Sequence, residues 1–148
     1  MKAALLYATT FGKTRRVVSA VANLLAFEVD IHDVKDVDPS IVAQYDLLLM
    51  FCPTYGDEEL QENMEDFLLR LHTKLSEKQF CVCELGNYYG YDNFQFGAMR
   101  IIRQHLLGLD ASEICEPLSL DSYPRVPWEH LGDWVGHLNR AVTQHGGR

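Results

Sequence analysis

Apolar residues along this 148-residue chain fall into short continuous runs, separated by stretches in which they recur every three or four positions. Residues 2 to 8 form the first run, with Ala3, Ala4, Leu5, Leu6 and Tyr7. Val17, Val18, Val21, Leu24 and Leu25 follow at helical spacing, which predicts a strand and then a helix beginning near Lys13. Phe27 to Asp33 reads as a second strand, and Asp38-Pro39-Ser40 as a turn into a short helical connection. The run Tyr45 to Cys52 lacks the alternation of a half-wetted strand, so it predicts a central strand covered on both faces, as in a parallel sheet. Met64, Phe67, Leu68, Leu71 and Leu75 mark a helix, and Phe80 to Leu85 a fourth strand. A further helix carries Phe94, Ala98, Ile101, Ile102 and Leu106 on its inner face. Glu113 to Leu120 is the last strand, and Pro127 opens a final helix with the stripe Trp128, Leu131, Trp134, Val135, Leu138 and Val142, leaving Gln144 to Arg148 as a frayed tail. Strand and helix alternate five times, which implies right-handed crossovers and a five-stranded parallel sheet with helices on both faces. No internal repeat interrupts that order.

Composition adds limits. At 47% hydrophobic residues the chain can fill the core of one domain, residues 1–148, without a second unit. Asp and Glu number 21 against 13 Lys and Arg, a formal charge of -8, which argues against nucleic acid and for a basic partner. With no N-terminal signal pattern and no apolar run near the length of a membrane span, the expectation is a cytoplasmic protein with no membrane association. Cys52, Cys81, Cys83 and Cys115 all sit in apolar strand-like runs; they read as small buried hydrophobes, and no metal site is expected. His72, His105, His130 and His137 read as helix-surface residues rather than catalysts.

Candidate chemistry concentrates between elements. Thr9-Thr10-Phe11-Gly12-Lys13-Thr14 joins the first strand to the first helix, so the helix's unbonded N–H groups and positive dipole end face whatever this loop holds. With the hydroxyls of Thr9, Thr10 and Thr14 this describes a phosphate site, although hydroxyl-rich loops also arise simply as helix caps. Gly12-Lys13-Thr14 matches the end of the nucleotide-binding pattern G-x-x-x-x-G-K-[ST], but Tyr7 stands where its first glycine is needed to shape the backbone nest. Ligands of open α/β sheets bind beyond the carboxyl ends of the strands, where strand order reverses. That rule adds Pro53 to Glu59 and Gly86 to Asn93, which carry the pairs Tyr55-Gly56 and Gly90-Tyr91. A flat ring between two tyrosines, with a phosphate tail on the helix N-terminus, would use all three loops.

In these loops the chain resembles the flavodoxins, small FMN-binding electron carriers. Thr9 to Thr14 is similar to the family's phosphate loop [ST]-x-T-G-x-T; Cys52-Pro53-Thr54-Tyr55-Gly56-Asp57-Glu58-Glu59-Leu60 is similar to its first ring loop; Gly86-Asn87-Tyr88-Tyr89-Gly90-Tyr91, followed by Asn93-Phe94-Gln95, is similar to its second. The likeness runs from Met1 to about Val142 and has no room for the long insertion that some members carry in the last strand, so this looks like a short-chain member. It implies a three-layer flavodoxin-like α/β fold with strand order 2-1-3-4-5. It also implies an FMN site formed by Thr9, Thr10, Phe11, Gly12, Lys13 and Thr14, by Pro53, Thr54, Tyr55, Gly56 and Asp57, and by Leu85, Gly86, Asn87, Tyr91, Asn93 and Phe94. Phe11 departs from a phosphate-binding threonine, with Lys13 compensating by charge; Tyr55 replaces a frequent tryptophan; Asn87 replaces an aspartate, and its amide oxygen can still accept from the ring's N3–H.

The resemblance implies a low-potential carrier of single electrons, with no catalytic residues of its own, working as a monomer between an NAD(P)H-dependent flavodoxin reductase and an acceptor oxidase or reductase. The flavin supplies the redox chemistry and the protein sets the relative energies of its oxidation states. At Gly56 the following peptide can turn over at low cost, and the resemblance implies that its carbonyl swings to accept from the ring N5–H once one electron has arrived, although a glycine here also suits a plain tight turn. Asp57, Glu58, Glu59, Glu62, Glu65 and Asp66 would each raise the energy of an anionic ring by roughly a kcal/mol at moderate effective dielectric, and would steer a basic docking face. The same acids also suit a solvated helix start. An FMN-dependent NAD(P)H:quinone reductase is the rival, but stacked Tyr55 and Tyr91 would block its nicotinamide. A phosphoacceptor receiver domain lacks its aspartate, since Cys52-Pro53-Thr54 ends the third strand.

Overall fold

The computed structural model describes residues 1–10, 12–54, 60–86, 97–121 and 125–146. Its elements are β1 (Ala3–Tyr7), α1 (Lys13–Leu24), β2 (Asp30–Asp33), two 3-10 turns (Val34–Asp36 and Pro39–Gln44), β3 (Leu47–Pro53), α2 (Glu62–Leu69), β4 (Gln79–Gly86), α3 (Gly97–Gly108), β5 (Ser112–Glu113), β6 (Leu118–Asp121) and α4 (Trp128–Gly146). The strands pair in parallel in the order β2-β1-β3-β4-β5, with β6 also on β4.

Continuous apolar strands follow from two covered faces. Side chains alternate across a strand, so Leu48, Met50 and Cys52 of β3 join Ala4 and Leu6 of β1 and Phe80 and Val82 of β4 on one side, under Met64, Phe67 and Leu68 of α2 and Ala98, Ile102 and Leu106 of α3. Leu47, Leu49 and Phe51 join Leu5, Cys81 and Cys83 on the other side, under Val17, Val18 and Val21 of α1 and Leu131, Trp134, Val135 and Leu138 of α4. Phe51 meets the Trp134 ring edge-on, with centroids 6.0 Å apart. Burying both faces of β3 removes the side chains of Leu47 to Cys52 from water, each large aliphatic contributing about 1.5–3 kcal/mol.

Several boundaries differ from the sequence expectations. The second strand starts at Asp30, not Phe27, because its one neighbour β1 offers partners only from Ala4, opposite Asp30; Phe27 and Val29 instead pack against the α1/α4 core. Asn139 of α4 holds this crossing, its Oδ1 accepting from the Ala26 N–H at 2.9 Å and its Nδ2 donating to the Leu24 carbonyl at 3.0 Å. The helix marked by Met64 ends at Leu69, yet Leu71 and Leu75 remain buried in the same core from irregular backbone, where the Leu75 N–H donates to the Leu109 carbonyl. His105, expected at a helix surface, is half-buried and its Nε2 lies 2.9 Å from the Leu71 carbonyl oxygen.

The stretch Glu113 to Leu120 is two strands rather than one. Glu113 pairs with Phe80 and Leu118 with Cys83, so the outer chain uses two more residues than β4 over the same rise, and residues 114–117 loop out. Pro117 has no N–H to give the ladder, and the Trp134 Nε1 donates to the Glu116 carbonyl at 2.8 Å, which holds the excursion. Cys115 sits on it, half-buried, while Cys52, Cys81 and Cys83 are fully buried. Trp128, placed in the final helix's inner stripe by its spacing, is 41% exposed, and α4 continues through Gly146, beyond the expected fraying point at Gln144.

Candidate functional site at the carboxyl edge of the sheet

Register brings the strand ends together. Tyr7 of β1 lies opposite Phe51, Pro53 at the end of β3 lies opposite Leu85, and Gly86 at the end of β4 lies opposite Asp121. β2 and β3 flank β1 on opposite sides, so the chain reverses direction across the sheet at β1 and β3, the position where such sheets open a crevice. The loops after β1, β3 and β4 therefore emerge along one edge, as the sequence pattern requires. Phe11, Tyr55, Gly56, Asp57, Asn87, Tyr91, Asn93 and Phe94 lie outside the described residues.

The first loop is well defined on either side of Phe11. Gly12 precedes α1 with φ 86° and ψ −5°, a left-handed conformation that side chains with a Cβ adopt at a penalty. Its N–H donates to Thr9 Oγ1 at 2.9 Å, and its carbonyl accepts from the Arg16 N–H at 3.2 Å, which starts the helix. Thr9 is half-buried, Thr10 and Lys13 are exposed, and Thr14 is buried at the start of the helix. The N-cap residue Gly12 has no side chain with which to cap α1 and the first turn holds no acid, whereas Glu62 and Glu65 open α2 and Glu129 opens α4. Instead Lys13, Arg15 and Arg16 stand at the positive end of the helix dipole, each an unfavourable placement of about 0.3–1 kcal/mol that a bound anion would reverse. The donor set thus fits a phosphate group.

The second and third loops are tied at their bases. Thr54, buried just beyond β3, bridges in antiparallel fashion to Leu60, and its N–H donates to the Leu85 carbonyl at 2.6 Å. Leu60 then leads into α2, whose start is capped by Gln61: its buried Oε1 accepts from the Asn63 N–H at 2.6 Å and the Met64 N–H at 3.0 Å. Leu85 and Gly86 are buried at the end of β4. Of the acids expected along this rim, Glu62, Glu65 and Asp66 are exposed on α2, where Asp66 pairs with Arg70 Nε at 3.1 Å.

The sequence reasoning passed over Glu84. It was absorbed into an apolar strand, yet it is 0% exposed and its carboxylate accepts from Thr54 Oγ1 (2.9 Å), the Met99 N–H (2.8 Å) and Ser119 Oγ (3.0 Å). The signal was a lone charge inside a strand buried on both faces, which needs fixed partners to be tolerated. Among the described residues no cluster of three or more His, Cys, Asp or Glu could hold a metal, and no helix is long and apolar enough to cross a membrane.

Comparison with known proteins agrees with this geometry. The protein-family model described as flavodoxin matches residues 5–126. A flavodoxin of Nitratidesulfovibrio vulgaris is 27% identical over 146 residues, covering 93% of this chain and 97% of that protein, and one from Synechocystis is 30% identical over 117 residues, covering 76% and 68%. Among solved structures, a Streptococcus pneumoniae flavodoxin superposes with a TM-score of 0.85 at 23% identity, covering 98% of this chain and 99% of that one. A Fusobacterium nucleatum flavodoxin bound to flavin mononucleotide superposes with 0.80 at 17% identity, covering 94% and 97%. By its sequence match and its strand order, this chain belongs to the flavodoxin family of FMN-binding electron-transfer proteins.

Proposed function

We propose that this chain holds FMN across the three loops and carries single electrons from an NAD(P)H-dependent flavodoxin reductase to an acceptor oxidase or reductase, as a cytoplasmic monomer that transforms no substrate itself. The observation that carries the reading is the start of α1: an acid-free helix N-terminus with Lys13, Arg15 and Arg16 in its first turn, reached through a left-handed Gly12 whose own side chain offers no cap. FMN supplies the redox chemistry. Thr9, Thr10, Gly12, Lys13 and Thr14 receive its phosphate, with Phe11 in the same loop. Pro53, Thr54, Tyr55, Gly56 and Asp57 border one side of the ring, and Leu85, Gly86, Asn87, Tyr91, Asn93 and Phe94 the other, with Tyr55 and Tyr91 as the two covers and the Gly56 peptide free to reorient towards N5. The net charge of -8, with exposed Glu62, Glu65 and Asp66 beside the first ring loop, suits a basic docking face.

The test is a flavin titration. The purified protein is expected to take up one FMN with quenched fluorescence, and Tyr91→Ala is expected to weaken that uptake by roughly tenfold, the scale of one lost aromatic stacking contact. A protein that ignores added FMN refutes the reading, and a Tyr91→Ala variant of unchanged affinity refutes that residue's role. Steady NAD(P)H oxidation by the protein alone would point to a quinone reductase instead.

A further inference from the structure

Glu84 is the one fully buried carboxylate among the described residues, and its hydrogen bonds to Thr54 and Met99 reach the bases of two loops at the candidate site. Thr54 immediately precedes residues 55–59, and Glu84 itself stands two residues before Gly86, where β4 passes into residues 87–96. Met99 lies in the first turn of α3, where the chain returns from that second loop, and Ser119 lies on β6. The Thr54 hydroxyl extends the network, because it donates to Glu84 Oε2 while accepting from the Ala98 N–H at 3.0 Å. Two of the N–H groups that a helix start leaves without internal partners, those of Ala98 and Met99, are therefore satisfied by one carboxylate and one hydroxyl from neighbouring strands.

We infer that Glu84 is a positioning residue for the flavin: by tying Thr54, the α3 N-terminus and Ser119 together it fixes the bases from which the two ring loops leave the sheet, and so the ring affinity, without touching the flavin. This rests on the FMN reading above. The physical case is that a carboxylate in a core costs several kcal/mol to desolvate unless its oxygens are saturated with donors, so a chain that keeps one here holds those donors in fixed relative positions. The phosphate loop lies outside the network. The carboxylate's hydrogen bonds run to Thr54, Met99 and Ser119, whereas Thr9 bonds the Gly12 N–H within its own loop, so disturbing Glu84 should change ring binding and leave phosphate recognition alone.

The experiment measures dissociation constants for FMN and for riboflavin, which lacks the phosphate, on wild type, Glu84→Ala, Glu84→Gln and Thr54→Val. Glu84→Ala is expected to weaken both ligands by at least roughly tenfold, the equivalent of one unsatisfied buried donor, with the ratio of the two constants within about twofold of wild type. Glu84→Gln is expected to rescue most of the loss, since its carbonyl can take the Thr54 and Met99 donors while its amide faces a Ser119 hydroxyl that can turn to accept. Thr54→Val, which keeps shape and loses only the hydroxyl, repeats the test if Glu84→Ala does not fold, and should weaken both ligands in the same proportion. Wild-type affinity in a folded Glu84→Ala or Thr54→Val overturns the inference, as does a loss confined to FMN, or Glu84→Gln falling as far as Glu84→Ala. A wild type that binds neither flavin removes the FMN reading as well, which separates the two failures.

Discussion

Replacing Gly12 by alanine isolates the conformation on which the first loop turns. A Cβ built at Gly12 meets no heavy atom within 4 Å, so no collision contributes and the effect comes from the backbone alone, held at φ +86°. Holding an L-residue there costs about 1–2 kcal/mol, and alanine's smaller unfolded-state entropy returns about 0.4–1 kcal/mol, leaving a net loss near 1 kcal/mol. Gly132 supplies the control. It lies inside α4, a Cβ there also meets nothing within 4 Å, and its φ is not in the left-handed region, so Gly132→Ala should stabilise by about 0.5–1 kcal/mol. The same chemical change is thus expected to act with opposite sign at two equally open positions. Urea and thermal unfolding of the flavin-free protein measure it: Gly12→Ala should lower Tm by about 2–4 °C and Gly132→Ala should raise it by a similar amount. Gly12→Asn should fall between wild type and Gly12→Ala, because asparagine visits the left-handed region more readily. If Gly12→Ala matches or exceeds wild type, the chain does not hold that conformation, and the α1 N-terminus is not presented as described.

Alkaline stability is expected to depend on Tyr45, whose phenol is pushed up to about 12 by burial and by its hydrogen bond to Asp30 (2.8 Å). The folded protein then keeps a proton that the unfolded chain releases near pH 10, so this contribution is complete below pH 10 and is lost as pH rises towards 12; Tyr45→Phe should flatten that slope in urea unfolding, and an unchanged slope refutes it. Thiol labelling with an aromatic disulfide should show one fast equivalent that Cys115→Ser removes. Burial raises the thiols of Cys52, Cys81 and Cys83, while a hydrogen bond from Cys81 lowers that of Cys115, and a fast phase that survives Cys115→Ser overturns this assignment.

The sheet was legible because β3 and β4 are buried on both faces and so read as apolar runs, broken in β4 only by Glu84 between Cys83 and Leu85, and because the three loops follow β1, β3 and β4 in order. Where the reading went astray, spacing survived while backbone changed. Leu71 and Leu75 keep the four-residue interval of a helix, yet they reach the core from a loop. Ile114, Cys115, Leu118 and Leu120 resemble one strand, although Pro117 sits among them without the N–H a ladder needs. Glu84 escaped because hydrophobic patterning averages a single charge into its neighbours, and its partners Thr54, Met99 and Ser119 are 30, 15 and 35 residues away along the chain. Such a residue becomes visible only when each buried polar group is asked where its hydrogen bonds go.

The interrupted outer strand bears on what the edges of the sheet offer to another chain. An open sheet invites a foreign chain to extend its ladder along any straight, unpaired margin. On this side that margin is cut into segments of two and four residues with a proline between them, and on the opposite side β2 offers four residues, with Asp30 and Asp33 at its two ends. Among the described residues neither border gives an invading segment a long flat template, so the excursion that Trp134 pins in place also blunts this edge against cross-molecular strand pairing.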